Sequence, residues 1–403
     1  MDLSNDQQCA FDSIMEWLKK PTNFITLGGY AGTGKTTLIS HLRNNILETT
    51  KIAFCAYTGK ASSVLRSKLI KFGINRFPKD SCGTIHGLIY EPRVEDDEIT
   101  GWILKPEIDY DLIICDESSM ISEDIFNDLK SYGIPIIFIG DHGQIPPIEG
   151  SLNLMANPQI KLEKVHRFAE SNPLTKISMM ARLEGYIPHG VYSDKIQKVR
   201  PKNPLITKFI NESGDFTNTA IICGFNNTRI DLNNKIRTWR GFKDQYPSIG
   251  ERVICLKNNK GSKMCPIYNG IQGTVKYIES FFDHLKLRVD IDGEPKHYLG
   301  RVSSKVFGNV KPIMNEFIYI EKENDDIDNI KNRFSSYHKV KKQKTYLDCF
   351  DFGYCLTVHK SQGSEWDRVC VIEQPCDYWK GSNWNRWLYT SVTRAKNELL
   401  IVR

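Results

Sequence analysis

The chain lacks the features that mark several classes of protein. Its first residues, Met1 to Asp6, contain no basic segment followed by an apolar one, as a signal peptide would. No apolar run approaches the ~20 residues that cross a bilayer. None of the 11 cysteines stands in a C-x-x-C pair, which argues against a structural zinc site and favours reduced thiols. These absences predict a cytoplasmic protein that does not enter a membrane.

A strong charge of one sign is also missing, because the formal net charge is only +6 in 403 residues. This mild excess is compatible with a nucleic-acid partner but does not by itself indicate one. The length exceeds what one domain usually holds, so two or three domains are expected.

Short apolar runs alternate with helical patterns along most of the chain. This alternation predicts an α/β fold with parallel sheets and right-handed crossovers. The candidate buried strands are Phe24–Leu27, Ile52–Ala56, Leu112–Cys115, Ile136–Ile139, Ala220–Cys223, Val369–Ile372 and Leu399–Val402.

Two stretches interrupt this alternation. Residues 89–105 form a short polar segment that is typical of a hairpin inserted into the first α/β unit. Residues 245–347 are β-rich, with turn residues at Asn269-Gly270 and Asp292-Gly293. We interpret this second stretch as a small domain inserted into the second α/β unit.

The segment Gly29 to Thr36 fits the phosphate-loop pattern G-x-x-x-x-G-K-[ST], between a strand pattern and a helix pattern. Its glycines allow backbone N–H groups to face phosphates at a helix N-terminus. Lys35 is expected to contact the β- and γ-phosphates, and Thr36 is expected to bind Mg²⁺. The predicted nucleotide-binding residues of the loop are Gly32, Thr33, Gly34, Lys35, Thr36 and Thr37.

A second acidic motif follows the apolar run that starts at Leu112. Asp116 is expected to hold Mg²⁺ through its water shell, and Glu117 is expected to act as general base on the attacking water. The alternative is that both carboxylates only cap the next helix. The guanine motif N-K-x-D is absent, since Asn234-Lys235 continues as Ile236-Arg237, which favours ATP over GTP.

Five further motifs occur in an order that resembles the superfamily 1 helicases, in particular the RecD-like branch (1B) and its phage members. The motifs are Ala56–Ser62, Gly83–Gly87, Ile139–Pro147, Leu356–Glu365 and Tyr389–Ala395.

This resemblance implies two RecA-like P-loop NTPase domains, with a pin hairpin in the first and an SH3-like insertion in the second. The implied division is 1–168 for the first domain with the pin at 86–107, 169–244 and 348–403 for the second domain, and 245–347 for the insertion.

The resemblance also implies several nucleotide contacts. Gln7, or alternatively Gln8, would recognise adenine through its amide, although a helix cap at Ser4 or Asn5 explains the same segment. Gln144, assisted by Asp141, would report the γ-phosphate.

The remaining nucleotide contacts implied by the resemblance lie later in the chain. Arg167 would reach the γ-phosphate, with an ordinary surface arginine as the rival interpretation. Gly363 and Glu365 would lie toward the nucleotide. Arg394 would be an arginine finger from the second domain, and Tyr389 would pack on adenine or support the finger.

The strand contacts are implied in the same way, and single threonines or histidines are often merely structural. Trp102 would meet the fork in the pin, with Ile99 as the runner-up and a packing role as the alternative. Basic and aromatic residues within 331–344 would form a strand-binding patch or only a solvated face. The implied DNA-binding residues are Thr58, Lys60, Thr84, His86, Trp102, Thr357 and His359.

The function implied is that of an ATP- and Mg²⁺-dependent DNA helicase that moves 5′ to 3′ on single-stranded and forked DNA. It would act as a monomer in the cytoplasm, that of the host if the gene belongs to a phage. Its expected setting is replication, recombination or repair, with proteins of those processes as possible partners. The alternatives are a translocase that displaces bound proteins, a nucleotide-gated binding module and an RNA helicase.

Overall fold

The computed structural model describes residues 3–95, 98–146, 152–164, 172–257, 267, 269–292, 297–321, 342–376 and 379–403. Elements are numbered in chain order. The helices are α1 (Asn5–Lys19), α2 (Lys35–Asn45), α3 (Gly59–Lys71), α4 (Ile85–Ile89), α5 (Glu123–Ser131), α6 (Pro173–Leu183), α7 (Pro204–Asn211), α8 (Asn226–Trp239), α9 (Val358–Ser361) and α10 (Ser382–Val392). None of the helices in these ranges is long and apolar enough to span a bilayer.

A six-stranded sheet forms the centre of the first domain, in the order β3-β2-β6-β7-β1-β8, and its strands run parallel. The strands of this part of the chain are β1 (Phe24–Gly29), β2 (Ile52–Ala56), β3 (Ser81–Thr84), β4 (Tyr90–Glu95), β5 (Glu98–Leu104), β6 (Leu112–Asp116), β7 (Ile136–Gly140) and β8 (Ile160–Leu162). All five residues of β2 and of β7 are buried. Such continuous burial is expected when helices cover both faces of a parallel sheet.

The second domain contains another six-stranded sheet, in the order β19-β11-β20-β21-β10-β9. Only β9 is antiparallel to its neighbour. The strands are β9 (Gly190–Ser193), β10 (Ile196–Val199), β11 (Thr219–Cys223), β19 (Cys355–Thr357), β20 (Trp366–Ile372) and β21 (Ala395–Val402). The predicted α/β fold with two RecA-like parallel sheets is confirmed, and all seven strands predicted from apolar runs are present.

The chain between the two halves of this sheet forms an antiparallel sheet of five strands, in the order β15-β14-β13-β12-β18, with a separate two-stranded hairpin. Its strands are β12 (Arg252–Cys255), β13 (Gln272–Ser280), β14 (His284–Ile291), β15 (His297–Ser303), β16 (Phe317–Glu321), β17 (Lys342–Tyr346) and β18 (Phe350–Phe352). A β-rich insertion is thus confirmed. The predicted boundary at residue 347 is too early, because Phe350–Phe352 pairs with β12 inside the inserted sheet.

The hairpin predicted as a pin is formed by β4 and β5, which pair antiparallel. It leaves the first domain directly after α4 and returns to it before β6. Tyr132 anchors its base, since the hydroxyl donates to the carbonyls of Ile89 (3.0 Å) and Lys105 (2.9 Å). The remaining domain boundaries stay predictions.

The parallel topology decides where functional side chains lie. In the first sheet, the carboxyl ends of β1, β2, β6 and β7 lead directly into the phosphate loop, the Thr58 segment, Asp116 and Asp141. In the second sheet, β19 and β11 lead into the Thr357 and Phe225 segments. Ligands of α/β proteins bind outside the carboxyl ends of such strands, so both sheets direct candidate site residues toward the boundary between the two domains.

Candidate nucleotide site and nucleic-acid groove

The phosphate loop connects β1 to α2 in a conformation that depends on its glycines. Gly32 and Gly34 adopt left-handed backbone angles, with φ of 81° and 78°, which glycine reaches without strain. A Cβ on Gly29 would lie only 2.7 Å from the Thr33 hydroxyl oxygen. Lys35 Nζ curls back over the loop and donates to the carbonyls of Gly29 (2.6 Å) and Tyr30 (3.0 Å). The lysine head is therefore held at the mouth of the loop, where phosphates are expected.

Two oxygen-bearing side chains can serve a divalent cation beside this loop. Thr36 lies in the first turn of α2 and is half-buried, as is Asp116 at the end of β6. Burial raises the pKa of Asp116, and the nearby Lys35 and a hydrogen bond from the Glu117 backbone oppose that rise. A hydroxyl and a carboxylate are hard oxygen donors of the kind that Mg²⁺ prefers. Thr37 follows them on the same half-buried helical turn.

Glu117 combines three unusual properties for a carboxylate. Its backbone is left-handed, with φ of 54°, a conformation that costs energy in a non-glycine residue and is concentrated at functional sites. One carboxylate oxygen, Oε2, is buried and has no hydrogen-bond partner among the residues that the structure describes. Burial, and then the charge of Asp116, raise the pKa of Glu117 to about 7, while Arg394 and Lys35 oppose the rise. A carboxylate with such a pKa is suited to accept a proton from water.

A hydrogen-bonded network joins the phosphate loop to the second domain. Tyr389, on α10, donates to Asp141 Oδ2 (2.8 Å) and accepts from the backbone N–H of Ala31 in the loop (2.8 Å). Gln144 Nε2 lies 3.4 Å from the same Asp141 oxygen, and the next backbone N–H donates to Thr390 Oγ1 (3.1 Å). The buried Oε1 of Gln144 has no partner within the described part of the chain. An amide oxygen in that state can accept from a water and so orient it.

Arg394 reaches this region from the second domain. It is 4% exposed, and its guanidinium donates to the carbonyls of Thr390 (3.0 Å) and Ser364 (3.2 Å). Its charge lowers the pKa of Glu117, so the guanidinium lies within electrostatic reach of the candidate base in the other domain. The structure thus brings Lys35, Glu117 and Arg394 to one site, and the finger role remains a prediction.

The predicted adenine contact has another use in this structure. Gln7 is buried, and its Nε2 donates to the loop carbonyls of Thr33 (3.0 Å) and Gly34 (3.4 Å). Its Oε1 accepts from Ser4 N (2.9 Å), which completes a capping box at the start of α1. The alternative of a Ser4 cap is confirmed, while adenine recognition by Gln7 stays a prediction. Gln8 is exposed and donates to Asp12.

Within the described part of the chain, two other predicted nucleotide residues, Gly363 and Glu365, make no contact with the phosphate loop. Gly363, with φ of 70°, lies against the start of α3, where an added Cβ would be 2.9 Å from the Ala61 side chain. This glycine permits close packing of the two domains, and its position toward the nucleotide stays a prediction. Glu365 is exposed and lies 3.9 Å from Lys396. Arg167 lies outside the described residues.

A groove of about 590 Å³ runs along the boundary between the two domains. Five of the seven predicted DNA-binding residues line it, although they come from three separate parts of the sequence. The lining residues are Tyr57, Thr58, Gly59, Thr84, His86, Met120, Gly224, Phe225, Asn226, Asn269, Gly270, Thr357, His359 and Lys360. Motifs that lie far apart in the sequence thus meet at one continuous surface.

The groove hydroxyls are placed by local structure. Thr58 caps α3 by accepting from Ala61 N (3.1 Å), and Thr84 caps α4 by accepting from Gly87 N (3.1 Å). Thr357 closes β19 directly before α9 and is 8% exposed. Capping explains two of these threonines structurally, so their contacts with a strand remain predictions.

The groove histidines are held by aromatic neighbours. His86 lies between Tyr57, at 6.3 Å between ring centroids, and Tyr90, at 5.3 Å. His359 lies 5.6 Å from Trp379. Burial lowers the pKa of His359 to about 4, so its imidazole is neutral at pH 7. It can donate a hydrogen bond to a strand but does not contribute positive charge.

Lys60 was predicted to contact a strand phosphate; this contact stays a prediction, and in this structure the Lys60 ammonium has other partners. Its Nζ donates to Gln272 Oε1 of the inserted domain (3.3 Å) and lies 4.4 Å above the ring of Trp366 in the second domain. Burial lowers the pKa of Lys60 to about 8. The long apolar part of the Lys60 side chain allows its ammonium group to extend from α3 to both neighbouring domains. Lys60 therefore connects three domains.

Lys360 gives the groove a titratable cation. Its Nζ donates to Asn269 Oδ1 (3.1 Å), and burial lowers the pKa of Lys360 to about 8.

The ammonium attracts phosphate only while protonated, so single-strand affinity should fall as the pH rises through about 8. We expect the dissociation constant of a short oligonucleotide to rise from pH 7 to pH 9, as measured by fluorescence anisotropy. A Lys360→Gln variant should have a nearly flat profile; an equally steep profile in the variant would contradict the assignment.

Sequence reasoning missed Phe225, which lines the groove and is 39% exposed. No motif marks this residue. The available signal was its position directly after the predicted strand Ala220–Cys223, at the same sheet edge as Thr357. Trp102 lies apart from the groove on β5, where its backbone pairs opposite Pro92, and its side chain is 40% exposed.

Comparison with known proteins agrees with this arrangement. A family described as "AAA domain" matches residues 2–189, and a family described as "UvrD-like helicase C-terminal domain" matches residues 352–402. The chain is 24% identical to the ATP-dependent DNA helicase dda of Enterobacteria phage T4, covering 100% of this chain and 99% of that one. It is also 24% identical to the ATP-dependent RecD2 DNA helicase of Deinococcus radiodurans, covering 98% of this chain but only 48% of that protein.

Among solved structures, the Pif1 helicase from Bacteroides in complex with ADP-AlF3 and ssDNA has a TM-score of 0.53 at 18% identity. The alignment covers 100% of this chain and 92% of that one. At this level of identity the likeness concerns the fold.

The two parallel sheets and the nucleotide residues at their boundary define a P-loop NTPase with two RecA-like domains. The order of its domains and motifs narrows this class further. The motif order resembles that of the superfamily 1 helicases, and the proteins of similar sequence include ATP-dependent DNA helicases.

Proposed function

We propose that this protein is an ATP-dependent DNA helicase that moves 5′ to 3′ along one strand and separates the duplex ahead of it. The observation that carries the proposal is that the nucleotide site and the groove share one domain boundary. The segment from Thr357 to Arg394 supplies residues to both. The direction of movement is taken from the resemblance to the RecD-like branch, since no contact among the described residues specifies it.

The network at the boundary suggests how nucleotide chemistry would change the grip on a strand. Phosphates held by Lys35 and Arg394 would draw the two domains together, and their release would let the domains separate. The bonds from Tyr389 to Asp141 and to the loop carry that movement directly to the second domain. Thr58 comes from the first domain and Thr357 from the second, so closing would change the distance between two proposed strand contacts.

The chemistry at the site follows from the same residues. We propose that Thr36 and Asp116 hold Mg²⁺, which would neutralise charge on the phosphates. Glu117 would take a proton from the water that Gln144 orients. Both Lys35 and Arg394 belong to one chain, so a monomer would contain a complete site.

The relatives named as DNA helicases indicate where such an activity would be used. We propose a role in replication, recombination or repair, in the cytoplasm where ATP and DNA are both present. Proteins of these processes would be partners, and the described surface does not favour one of them.

The most informative experiment compares unwinding and ATP turnover on duplexes with a 5′ tail, a 3′ tail or blunt ends. We expect ATP-dependent strand separation on the 5′-tailed duplex only. Strand separation from the 3′ tail would reverse the proposed direction. ATP turnover without separation on any duplex would indicate a translocase, and stimulation by RNA above that by DNA would indicate an RNA substrate.

Trp102 gives a separate prediction about strand separation. A rigid hairpin at the fork can prevent re-annealing, and each base-pair step costs about 1.4 kcal/mol of stacking to separate. A Trp102→Ala variant should therefore unwind a forked duplex several-fold more slowly while its translocation on single strands stays near normal. Translocation can be timed by displacement of streptavidin from a biotinylated end. Leu47→Ala, which removes a 75% exposed side chain from another loop of the same domain, is the control. Equal loss of unwinding and translocation would exclude the wedge role.

A further inference from the structure

Phe225 is a groove aromatic for which the described part of the chain provides no ring or cation partner. Tyr57 packs edge-on against His86, and His359 lies against Trp379. Within the described ranges of the chain, no aromatic ring and no cation stacks on Phe225, and the side chain is 39% exposed. A partly exposed phenyl ring in a groove loses part of the benefit of burial unless a ligand covers it.

The position of Phe225 breaks a local rule that this chain otherwise follows. It is the N-cap residue of α8, with extended backbone angles and no side-chain hydrogen bond to the helix. Ser, Thr, Asp and Asn are preferred there because their oxygens accept from free backbone N–H groups. Departures from local preference are expected where function requires a particular side chain. Side-chain caps of the usual kind are made elsewhere by Ser4, Thr58, Thr84, Asn172 and Asn203.

The backbone presents the Phe225 ring from a rigid frame. The Phe225 carbonyl accepts from Arg229 N (2.9 Å) inside α8 and from the Cys223 thiol (3.5 Å) at the end of β11. The preceding Gly224 N–H donates to Gln374 Oε1 (2.9 Å). Only the two side-chain torsions of the phenyl group remain adjustable, so little freedom is lost when a flat ligand packs on it.

The other groove groups indicate that a strand cannot be held by charge alone. Among the lining residues, Lys360 is the one lysine or arginine. The groove histidine His359 is neutral because burial lowers its pKa to about 4. The other polar side chains of the lining are the hydroxyls of Tyr57, Thr58, Thr84 and Thr357, the amides of Asn226 and Asn269, and His86. A groove with this composition positions phosphates but needs a contribution from the bases for affinity.

We propose that Phe225 stacks on a nucleobase of the single strand in the groove and is a base-contacting residue of the second domain. This inference rests on the proposed function. Every base has a π face, so the contact tolerates any sequence, as a protein that moves along a strand requires. The first domain would bind the backbone of the strand through hydroxyls, and the second domain would bind a base. The contacts of the two domains with the strand would therefore differ chemically.

The test uses the full chain and two oligonucleotides of about 12 nucleotides, oligo-dT and the same strand with abasic sites, a length within single-strand site sizes. Affinity is measured by fluorescence anisotropy for the wild type and for Phe225→Ala, Phe225→Leu and Phe225→Trp. Trp239→Ala is the matched control, because Trp239 ends the same helix, is 57% exposed and lies outside the groove. Thermal unfolding of every variant checks that the fold is retained.

We expect Phe225→Ala and Phe225→Leu to bind oligo-dT roughly 5- to 150-fold more weakly, the range for loss of one base–aromatic stack. On the abasic strand they should bind as the wild type does, and this equality also shows that the groove is intact. Phe225→Trp and Trp239→Ala should bind oligo-dT like the wild type.

Two results would overturn the stacking role while leaving the helicase proposal in place. One is wild-type affinity of Phe225→Leu for oligo-dT, because leucine keeps apolar volume but has no π face. The other is an equal loss on both strands, which would indicate only a structural role. A wild-type protein that binds no single strand and shows no DNA-stimulated ATP turnover would remove the proposed function, and the inference with it.

Discussion

Replacing Lys35 with alanine is expected to reduce DNA-stimulated ATP hydrolysis by at least about 10²- to 10³-fold, the usual cost of losing one preorganised group that stabilises developing charge. The Nζ group lies at the mouth of the phosphate loop, bound to the carbonyls of Gly29 and Tyr30. Phosphate oxygens can replace these carbonyls as acceptors without any reorganisation of the loop. Steady-state turnover at saturating oligo-dT measures the effect.

Single-strand binding without nucleotide should change little in the Lys35→Ala variant, because Lys35 does not line the groove. Lys71→Ala is the control, since Lys71 is an exposed lysine at the end of α3. Turnover that remains near the wild-type rate in Lys35→Ala would end the motor proposal. Loss of strand binding together with turnover would instead point to a damaged first domain.

The local motifs of this protein were predictable because each is a short segment with its own chemistry. In the phosphate loop, the glycines, Lys35 and Thr36 must lie within one short segment. The residue order of that segment therefore already specifies its geometry. The buried strands were predictable for a similar reason, since continuous apolar runs such as Ile52–Ala56 are required where helices cover both faces of a sheet. Their observed bounds match to within a few residues.

Contacts between domains were not predictable, because they depend on how separate pieces pack. Lys60 shows this clearly, since a lysine beside Thr58 fits phosphate binding equally well until Gln272 and Trp366 are placed next to it. The packing of Gly363 on Ala61 is of the same kind. Phe225 escaped notice because a phenylalanine after a strand is usually core, and only its exposure in the groove distinguishes it.

The predicted end of the inserted domain, at residue 347, was too early for a different reason. The segment Asp348–Phe352 reads Asp-Cys-Phe-Asp-Phe, and this short mixture of polar and apolar residues does not say which sheet the strand joins. Tertiary pairing with β12 decides the matter.

Replacing Arg394 with alanine is the second change expected to have a large effect. Removal of an arginine finger costs roughly 10³- to 10⁵-fold in turnover. In this structure the guanidinium is buried, donates to the Thr390 and Ser364 carbonyls, and lies close enough to Glu117 to lower the pKa of that carboxylate. Its charge would oppose the charge that develops on the transferred phosphate. We therefore expect turnover to fall while ATP affinity, measured with a fluorescent nucleotide, changes only a few-fold.

Two companion variants separate a finger from a packing residue. Arg394→Lys keeps the positive charge but loses the planar fork, and it should also lose most turnover because lysine cannot make the same paired contacts. Lys396→Ala removes an exposed cation two residues away and should behave like the wild type. If Arg394→Ala lowered ATP affinity in proportion to turnover, the residue would be a binding group. A different outcome would be full activity of Arg394→Lys together with a lower unfolding temperature of Arg394→Ala. Arg394 would then contribute buried charge and packing, and hydrolysis would not depend on a finger from the second domain.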